Sequence, residues 1–297
     1  MNAKTWKTAA LGALLSALFL QGAPEAKQLM TAPQDDKTIL GFDTWPGKAG
    51  ALKPGLNFVP SSVGALAGFT VSSDKHKDLK AGDSKSMMRQ VDLKKDAEGV
   101  RIQIQVSQQD TDDAQSALLG TVSARQAGVE GLKRGDQNGI AVGDLNFVTG
   151  RAGAPVFMID FVRNNIRVQV AKSSEETTVD VVAVATAIDG QILAQPSFTK
   201  KTLKTQLPTI TTLAPVSASV VPGGTTPVTL TATDPQGRPL QYVASAKKGT
   251  LQGDLTVSPP VLTFKAGDDV GTATINVLVY NSNLLFDVAN TSITIAP

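Results

Sequence analysis

Apolar and polar residues alternate in the central part of the chain, and each alternation predicts a β-strand. In Val100–Val106 every second residue is aliphatic, with Arg or Gln between, so this strand has one buried and one polar face. Two further runs, Val156–Arg163 and Ile166–Lys172, are joined by Asn164 and Asn165. Asparagine tolerates the positive φ that a two-residue turn requires, so the two runs predict a hairpin.

Helical spacing predicts two helices in the same region. The first begins at an acidic cluster followed by apolar residues four apart: Asp110, Asp112 and Asp113, then Ala114, Leu118 and Val122. The second is capped by Thr177 or Thr178 and ends before Pro196. With the strands, these helices predict an α+β domain over residues 61–196, an antiparallel sheet with about two helices.

After residue 215 the pattern changes to short alternating runs separated by Gly, Pro, Asp and Asn. Roughly seven such strands in residues 216–297 are typical of a β-sandwich. The stretch before them, residues 197–215, lacks apolar periodicity and predicts a linker.

Two segments of this C-terminal region resemble a known family. They are Val228–Tyr242, with the sequence VTLTATDPQGRPLQY, and Gly271–Val277, with the sequence GTATINV. They resemble a strand, acidic turn and next strand, and the penultimate strand, of bacterial immunoglobulin-like domains of the cadherin-like and polycystic-kidney-disease-repeat type. The resemblance covers about a third of the chain. It implies an immunoglobulin-like sandwich that acts as a spacer or adhesion element.

The acidic turn of this segment is a candidate calcium site, because calcium-binding relatives carry several acidic or Asn residues there. In this chain Gln236 and Arg238 occupy the alternate positions and leave Asp234 largely alone. A guanidinium repels a cation and supplies no oxygen ligand. We therefore expect no calcium at Asp234.

The other candidate for a hard cation is the acidic cluster Asp110, Asp112 and Asp113. Carboxylates at the first turn of a helix satisfy free N–H groups, so capping is the favoured interpretation. The chain has no Cys and one His, which excludes disulfides and Cys-based or His-rich metal sites. We expect no metal and no cofactor.

The first residues predict an export signal. Lys4 and Lys7 precede the apolar run Ala9–Leu20, which is too short to span a bilayer but suits a signal-peptide core. Cleavage near Ala26 defines a signal peptide over residues 1–26 and a secreted or periplasmic protein without a transmembrane segment. The Pro- and Gly-rich residues 27–60 predict an extended arm, in which Trp45 is either an anchoring peg or a contact residue.

Charge limits the partners. The net charge is +2, and Lys4 and Lys7 lie in the segment expected to be removed, so the mature chain is close to neutral. A near-neutral chain gives no electrostatic support for nucleic acid as a partner. The classes of partner that remain are a protein and a cell-surface or matrix polymer.

The sequence alone leaves three candidate functions. The first is a non-catalytic envelope or secreted protein, with no catalytic residues, whose α+β domain is a binding surface. The second is a secreted hydrolase that uses carboxylates of that domain, drawn from Asp144, Asp160, Glu175 and Glu176. The third is a carrier of a small apolar ligand. The single histidine, His76, lies in the charged run Ser73–Asp78, which is typical of a solvated loop.

Overall fold

A computed structural model describes residues 51–297 except 82–83, 110–113, 115–116, 119, 121–132, 151–152 and 175–176. The predicted signal peptide, Trp45, the acidic cluster at 110–113 and both Glu175 and Glu176 lie outside the described residues. The described chain is mostly β, and its sheets are antiparallel apart from one short pair. It divides into two units, Met1–Lys53 with Phe58–Thr199 and Pro54–Asn57 with Lys200–Pro297.

The first unit contains a seven-stranded antiparallel sheet and a helix. The strands are Thr70–Ala81 (β1), Ser84–Lys95 (β2), Glu98–Ser107 (β3), Lys133–Arg134 (β4), Leu145–Thr149 (β5), Met158–Arg163 (β6) and Ile166–Lys172 (β7). The helix is Val181–Ala194 (α1). Across the sheet the strands follow the order β1-β2-β3-β7-β6-β5-β4. Short 3₁₀ turns occupy Pro60–Ser62, Gly64–Leu66 and Asp136–Asn138.

The two faces of this sheet differ because side chains alternate along each strand. One face is aliphatic and fully buried at its centre, and α1 packs on β6 and β7 there with its apolar side. The residues that form this core include Ile102, Ile104, Ile159, Phe161, Val168, Val170, Val184, Ile188 and Ile192. The opposite face of β2, β3 and β7 is polar.

The predicted hairpin and central strand are confirmed. Asn164 adopts a φ of 54° in the turn between β6 and β7, and β3 contains the alternating run from Val100. The second predicted helix is confirmed as α1, but the prediction of its cap is wrong. Asp180 is the N-cap, because its carboxylate accepts hydrogen bonds from the N–H groups of Val182 and Ala183.

The predicted cap residues have other roles. The hydroxyl of Thr178 donates to Glu98 at 2.7 Å, and Thr177 is buried beside the backbone of Gly99. In the first predicted helix, the described positions Ala114, Ala117, Leu118 and Gly120 are helical.

The charged run Ser73–Asp78 was expected to be a solvated loop, but it is part of β1. This strand is at the edge of the sheet, where charged side chains stay solvated and discourage pairing with another chain. Arg89 of β2 binds both carboxylate oxygens of Asp74, at 3.0 and 2.7 Å, and donates to the carbonyl of Phe58 at 2.8 Å. Because polar residues occupy both faces of β1, its sequence shows no alternation of apolar and polar residues, and the strand was not predicted.

The second unit contains two four-stranded sheets. The strands are Thr209–Pro215 (β8), Ser219–Val220 (β9), Thr225–Thr233 (β10), Leu240–Lys247 (β11), Gly249–Asp254 (β12), Val261–Ala266 (β13), Gly271–Asn281 (β14) and Phe286–Ile295 (β15). One sheet has the order β12-β13-β10-β8 and the other β11-β14-β15-β9. Both sheets contribute to one buried cluster, which includes Leu230, Phe264, Ile275, Val279 and Ile293.

Three details of this unit differ from the expectation. The segment 197–215, expected to be a linker, contains a short helix, Lys200–Lys204 (α2), and β8, which pairs with β10. Strand β12 was not predicted. The runs 284–288 and 293–295, which count as two of the seven strands predicted from the sequence, lie in a single strand, β15, paired with β14 along its length.

The short segment Pro54–Asn57 is held to the second unit by Asn283. The N–H of Leu56 donates to the carbonyl of Asn283 at 3.2 Å, and the Asn283 amide donates to the carbonyl of Pro54 at 3.1 Å. Gly55 has a φ of 81°, and a Cβ there would lie 1.8 Å from the Asn283 carbonyl oxygen. Only glycine fits this approach.

Candidate binding face of the seven-stranded sheet

The polar face of the sheet presents two rows of side chains at paired positions on β2, β3 and β7. The rows are Gln90, Gln103 and Gln169, then Met88, Gln105 and Arg167. We call this surface the amide face. Four of its six side chains are glutamines, whose amides each offer two donors and an acceptor oxygen.

A chain of hydrogen bonds fixes one side of the amide face. Gln103 donates to the amide oxygen of Gln90 at 2.9 Å, and Gln90 donates to Asp92 at 2.9 Å. Arg101 pairs with the other oxygen of Asp92 at 2.7 Å. These bonds hold the amides in defined orientations.

A buried carboxylate fixes the other side. Arg167 donates to the two oxygens of Asp160 at 2.9 and 2.6 Å, and Gln169 donates to it at 2.8 Å. The Asp160 side chain is only 2% exposed. Because Asp160 neutralises Arg167 and Asp92 neutralises Arg101, the charged groups around the amide face compensate one another.

A shallow depression lies on the amide face. Its lining is Met88, Gln103, Gln105, Arg167 and Gln169, and it encloses about 10 Å³, which is roughly the space that one water molecule needs. Pockets that enclose small molecules usually have volumes of roughly 300–1,000 Å³ and mainly apolar walls. The depression is therefore too small to enclose a small apolar ligand, and contact at the amide face would be made with the surface of the sheet.

The two described acids among those considered for a hydrolase, Asp144 and Asp160, do not share a cleft. Asp160 lies on the polar face of the sheet, whereas Asp144 is bound on the opposite side by Arg163, at 2.7 Å, and by the N–H of Asn164, at 2.6 Å. Arg163 also binds both oxygens of Asp189 on α1, at 2.8 Å each. Asp144 and Asp160 therefore cannot act as one acid–base pair.

The carboxylate of Asp234 is occupied by hydrogen-bond donors. It accepts from the N–H groups of Gln236 and Arg238, at 2.9 and 3.1 Å, from the Arg238 guanidinium at 3.0 Å and from Asn281 at 2.7 Å. Burial by itself would raise its pKa, but the hydrogen bonds from Arg238 and Asn281 outweigh burial and hold the pKa of Asp234 below its usual range. Asp234 therefore anchors a turn.

Within the described residues, no three His, Asp or Glu side chains gather in the way that metal ligands do. No described helix has the length and apolar character needed to cross a bilayer.

No family model and no curated protein matches this chain. Its function must therefore be inferred from the residues themselves.

Sequence reasoning missed the amide face, although part of its signal was visible. The polar positions of β3 were recognised as one face of a strand. Their neighbours on β2 were not, because Met88-Arg89-Gln90 shows no clean alternation. The pairing of Gln103 with Gln169, which are far apart in the chain, is set by strand order and register.

Proposed function

We propose that the chain is an exported, non-catalytic protein of the cell envelope or the extracellular medium, and that the amide face is its contact surface. The observation that carries this proposal is a cluster of oriented amides whose neighbouring charges are compensated within the sheet. Its half-buried members, Met88, Gln90, Gln105 and Arg167, would make the contact without leaving an unpaired charge in the interface. Gln103 and Gln169, which are 6% and 2% exposed, would support that surface from within the sheet.

The chemistry of the amide face supports binding over catalysis. Glutamine amides neither gain nor lose a proton near neutral pH, and Asp160 and Asp92 are each engaged by an arginine. General acid–base catalysis needs a group that can exchange its proton with the substrate. Hydrogen bonding is the function that these groups serve best.

The second unit would act as a spacer or adhesion element with an immunoglobulin-like sandwich fold. Two four-stranded sheets that share one core, antiparallel apart from the short pair of β15 and β9, are the arrangement expected of such a sandwich. The first unit, a sheet covered by α1 on one face, would be the α+β domain that carries the amide face.

Export can be tested separately from binding. We expect the full-length chain, expressed in a bacterial host, to leave the cytoplasm and to lose about 26 residues. Leu14→Arg interrupts the apolar run of the predicted signal and should retain the unprocessed chain in the cytoplasm. Mass spectrometry of each cell fraction measures both results. Leu14→Arg protein that is still exported and shortened would contradict the export signal.

Binding can be tested with a bulky group attached to the amide face. The chain contains no cysteine, so Gln105→Cys introduces a single thiol that a large maleimide can modify. We expect the modified protein to lose at least tenfold of its retention on envelopes isolated from the producing cells, because the adduct blocks the interface core.

Gln137→Cys is the matched control for this labelling. Gln137 is exposed in a 3₁₀ turn of the same unit, away from β2, β3 and β7. Its modified form should be retained like the parent protein. Equal retention of both modified variants would contradict a contact role for the amide face.

A further inference from the structure

The loop between β4 and β5 contains the one Asn–Gly sequence of the chain, at Asn138 and Gly139. Both residues are exposed at the end of the 3₁₀ turn Asp136–Asn138, where Gly139 adopts a φ of 75°. The backbone nitrogen that follows an asparagine can attack the carbonyl carbon of the asparagine side chain. Glycine hinders this attack least, because it has no Cβ and the widest choice of backbone angles.

The surroundings of Gly139 leave room for such an attack. A Cβ built on Gly139 would have no described atom within 4 Å beyond its chain neighbours, so the space beside the residue is open to solvent. The N–H of Gly139 donates to the carbonyl of Asp136 at 3.3 Å, which is longer than the range of roughly 2.7–3.2 Å that such bonds usually have. The attacking nitrogen is therefore held only weakly.

One shorter hydrogen bond opposes the reaction. The side-chain amide of Asn138 donates to the carbonyl of Arg134 at 2.6 Å, and this bond must open before a ring can close between Asn138 and Gly139. The bond belongs to a single exposed turn of three residues. Short surface turns open locally at a small part of the free energy that unfolding requires. The bond therefore slows the attack without preventing it.

From these features together we infer that Asn138 is a site of spontaneous deamidation through a cyclic imide. The Gly139 nitrogen loses its proton and forms a bond to the side-chain carbonyl carbon of Asn138. The bond from that carbon to the amide nitrogen breaks, and the nitrogen takes up the proton and leaves as ammonia. Water then adds to either carbonyl carbon of the imide and opens the ring. The products are aspartate and isoaspartate, and no group is oxidised or reduced.

The product weakens the loop in which it forms. A carboxylate cannot donate to the Arg134 carbonyl, so the bond at 2.6 Å is lost and a negative charge faces that carbonyl oxygen. Arg134 is the residue of β4 that pairs with Phe147 of β5, and its guanidinium binds Asp136 in the same turn. We therefore expect the amides of residues 133–149 to exchange their hydrogens faster after deamidation.

The test is incubation of the full-length chain in mildly alkaline buffer, followed by peptide mapping with mass spectrometry. Asn290 is the matched control, because it is also exposed but lies within β15 and is followed by Thr291. We expect Asn138 to be converted at least about tenfold faster than Asn290. The rate should rise with pH, since the attacking nitrogen must lose its proton, and chromatography should separate two product peptides of equal mass.

Gly139→Ala should slow the conversion by about tenfold, because it places a Cβ beside the attacking nitrogen. Alanine is strained at a φ of 75°, so the ratio of the two products from the unaltered chain provides a second measurement that does not depend on this variant. Conversion of Asn138 no faster than that of Asn290 would overturn the inference. Aspartate without isoaspartate would also overturn it, since direct hydrolysis of the amide gives aspartate alone.

Discussion

Asp234→Ala is expected to destabilise the second unit by about 3–5 kcal/mol, because it removes the partner of a charged group and leaves several donors unsatisfied. The Asp234 side chain is 1% exposed and receives hydrogen bonds from the guanidinium of Arg238, the amide of Asn281 and two backbone N–H groups. Arg238 in turn donates to the carbonyl of Gln206 at 2.7 Å. Hydrogen exchange should show the loss of protection across Lys200–Pro297.

A control for this substitution is Asp254→Ala in the same unit. Asp254 makes the same kind of local turn, accepting from the N–H and hydroxyl of Thr256, but it is exposed and has no arginine partner. Its replacement should have a much smaller effect. Equal losses for the two variants would mean that the pairing with Arg238 adds nothing.

The stability of the second unit should also depend on pH through the carboxylate of Asp234. The pKa of Asp234 is lower in the folded chain than the value of about 3.9 expected in the unfolded chain. Its contribution is therefore fully present above pH 4 and is lost as the pH falls through the folded pKa. Asp234→Asn should flatten the decline in stability at acid pH. Added calcium should leave the melting temperature unchanged, and a rise of several degrees would contradict the assignment of Asp234 as a turn anchor.

Arg163→Met is expected to cost the first unit about 3–5 kcal/mol, since it breaks a largely buried triad of charges. The Arg163 side chain is 19% exposed and pairs with Asp144 and Asp189, which are 17% and 7% exposed. Methionine fills much of the space but leaves both carboxylates without a cation. The result should be a lower free energy of unfolding, with protection lost mainly in Phe58–Thr199.

Two further variants make this prediction specific. Arg101→Met removes a more exposed pair, in which Arg101 and Asp92 are 34% and 24% exposed, and should cost about 1 kcal/mol or less. Adding Asp189→Asn to Arg163→Met should recover part of the loss, because it removes one unpaired buried charge. A cost below 1 kcal/mol for Arg163→Met would show that the triad does not tie α1 to the sheet.

The sequence was most informative where one strand face is apolar and the other is polar. Strand β3 and the hairpin of β6 and β7 have that pattern, since their aliphatic side lies under α1. It was least informative at β1, whose edge position lets charged residues occupy both sides. The N-cap of α1 could not be chosen from the sequence for a different reason. Thr178 and Asp180 are both good N-cap residues, and only the position at which the helix begins selects between them.

The amide face could not be predicted for a related reason. Its polar side chains are individually ordinary for a solvated strand face. They become a surface only because β7 pairs with β3 and brings Gln169 beside Gln103 and Arg167 beside Gln105. Register between strands distant in the chain is set by the packing of the whole sheet. The enzyme hypothesis depended on the same kind of information, since two of its four candidate acids, Asp144 and Asp160, lie on opposite faces of the sheet.

Site-specific photo-crosslinking tests the amide face as the contact surface most directly. A thiol-reactive benzophenone is attached to Gln105→Cys and, in a separate variant, to Ala183→Cys on the exposed side of α1. After irradiation on envelopes of the producing cells, we predict covalent adducts from position 105 and at least tenfold fewer from position 183. Equal adduct yields from both positions, or none from position 105 while the protein is still retained, would contradict the assignment.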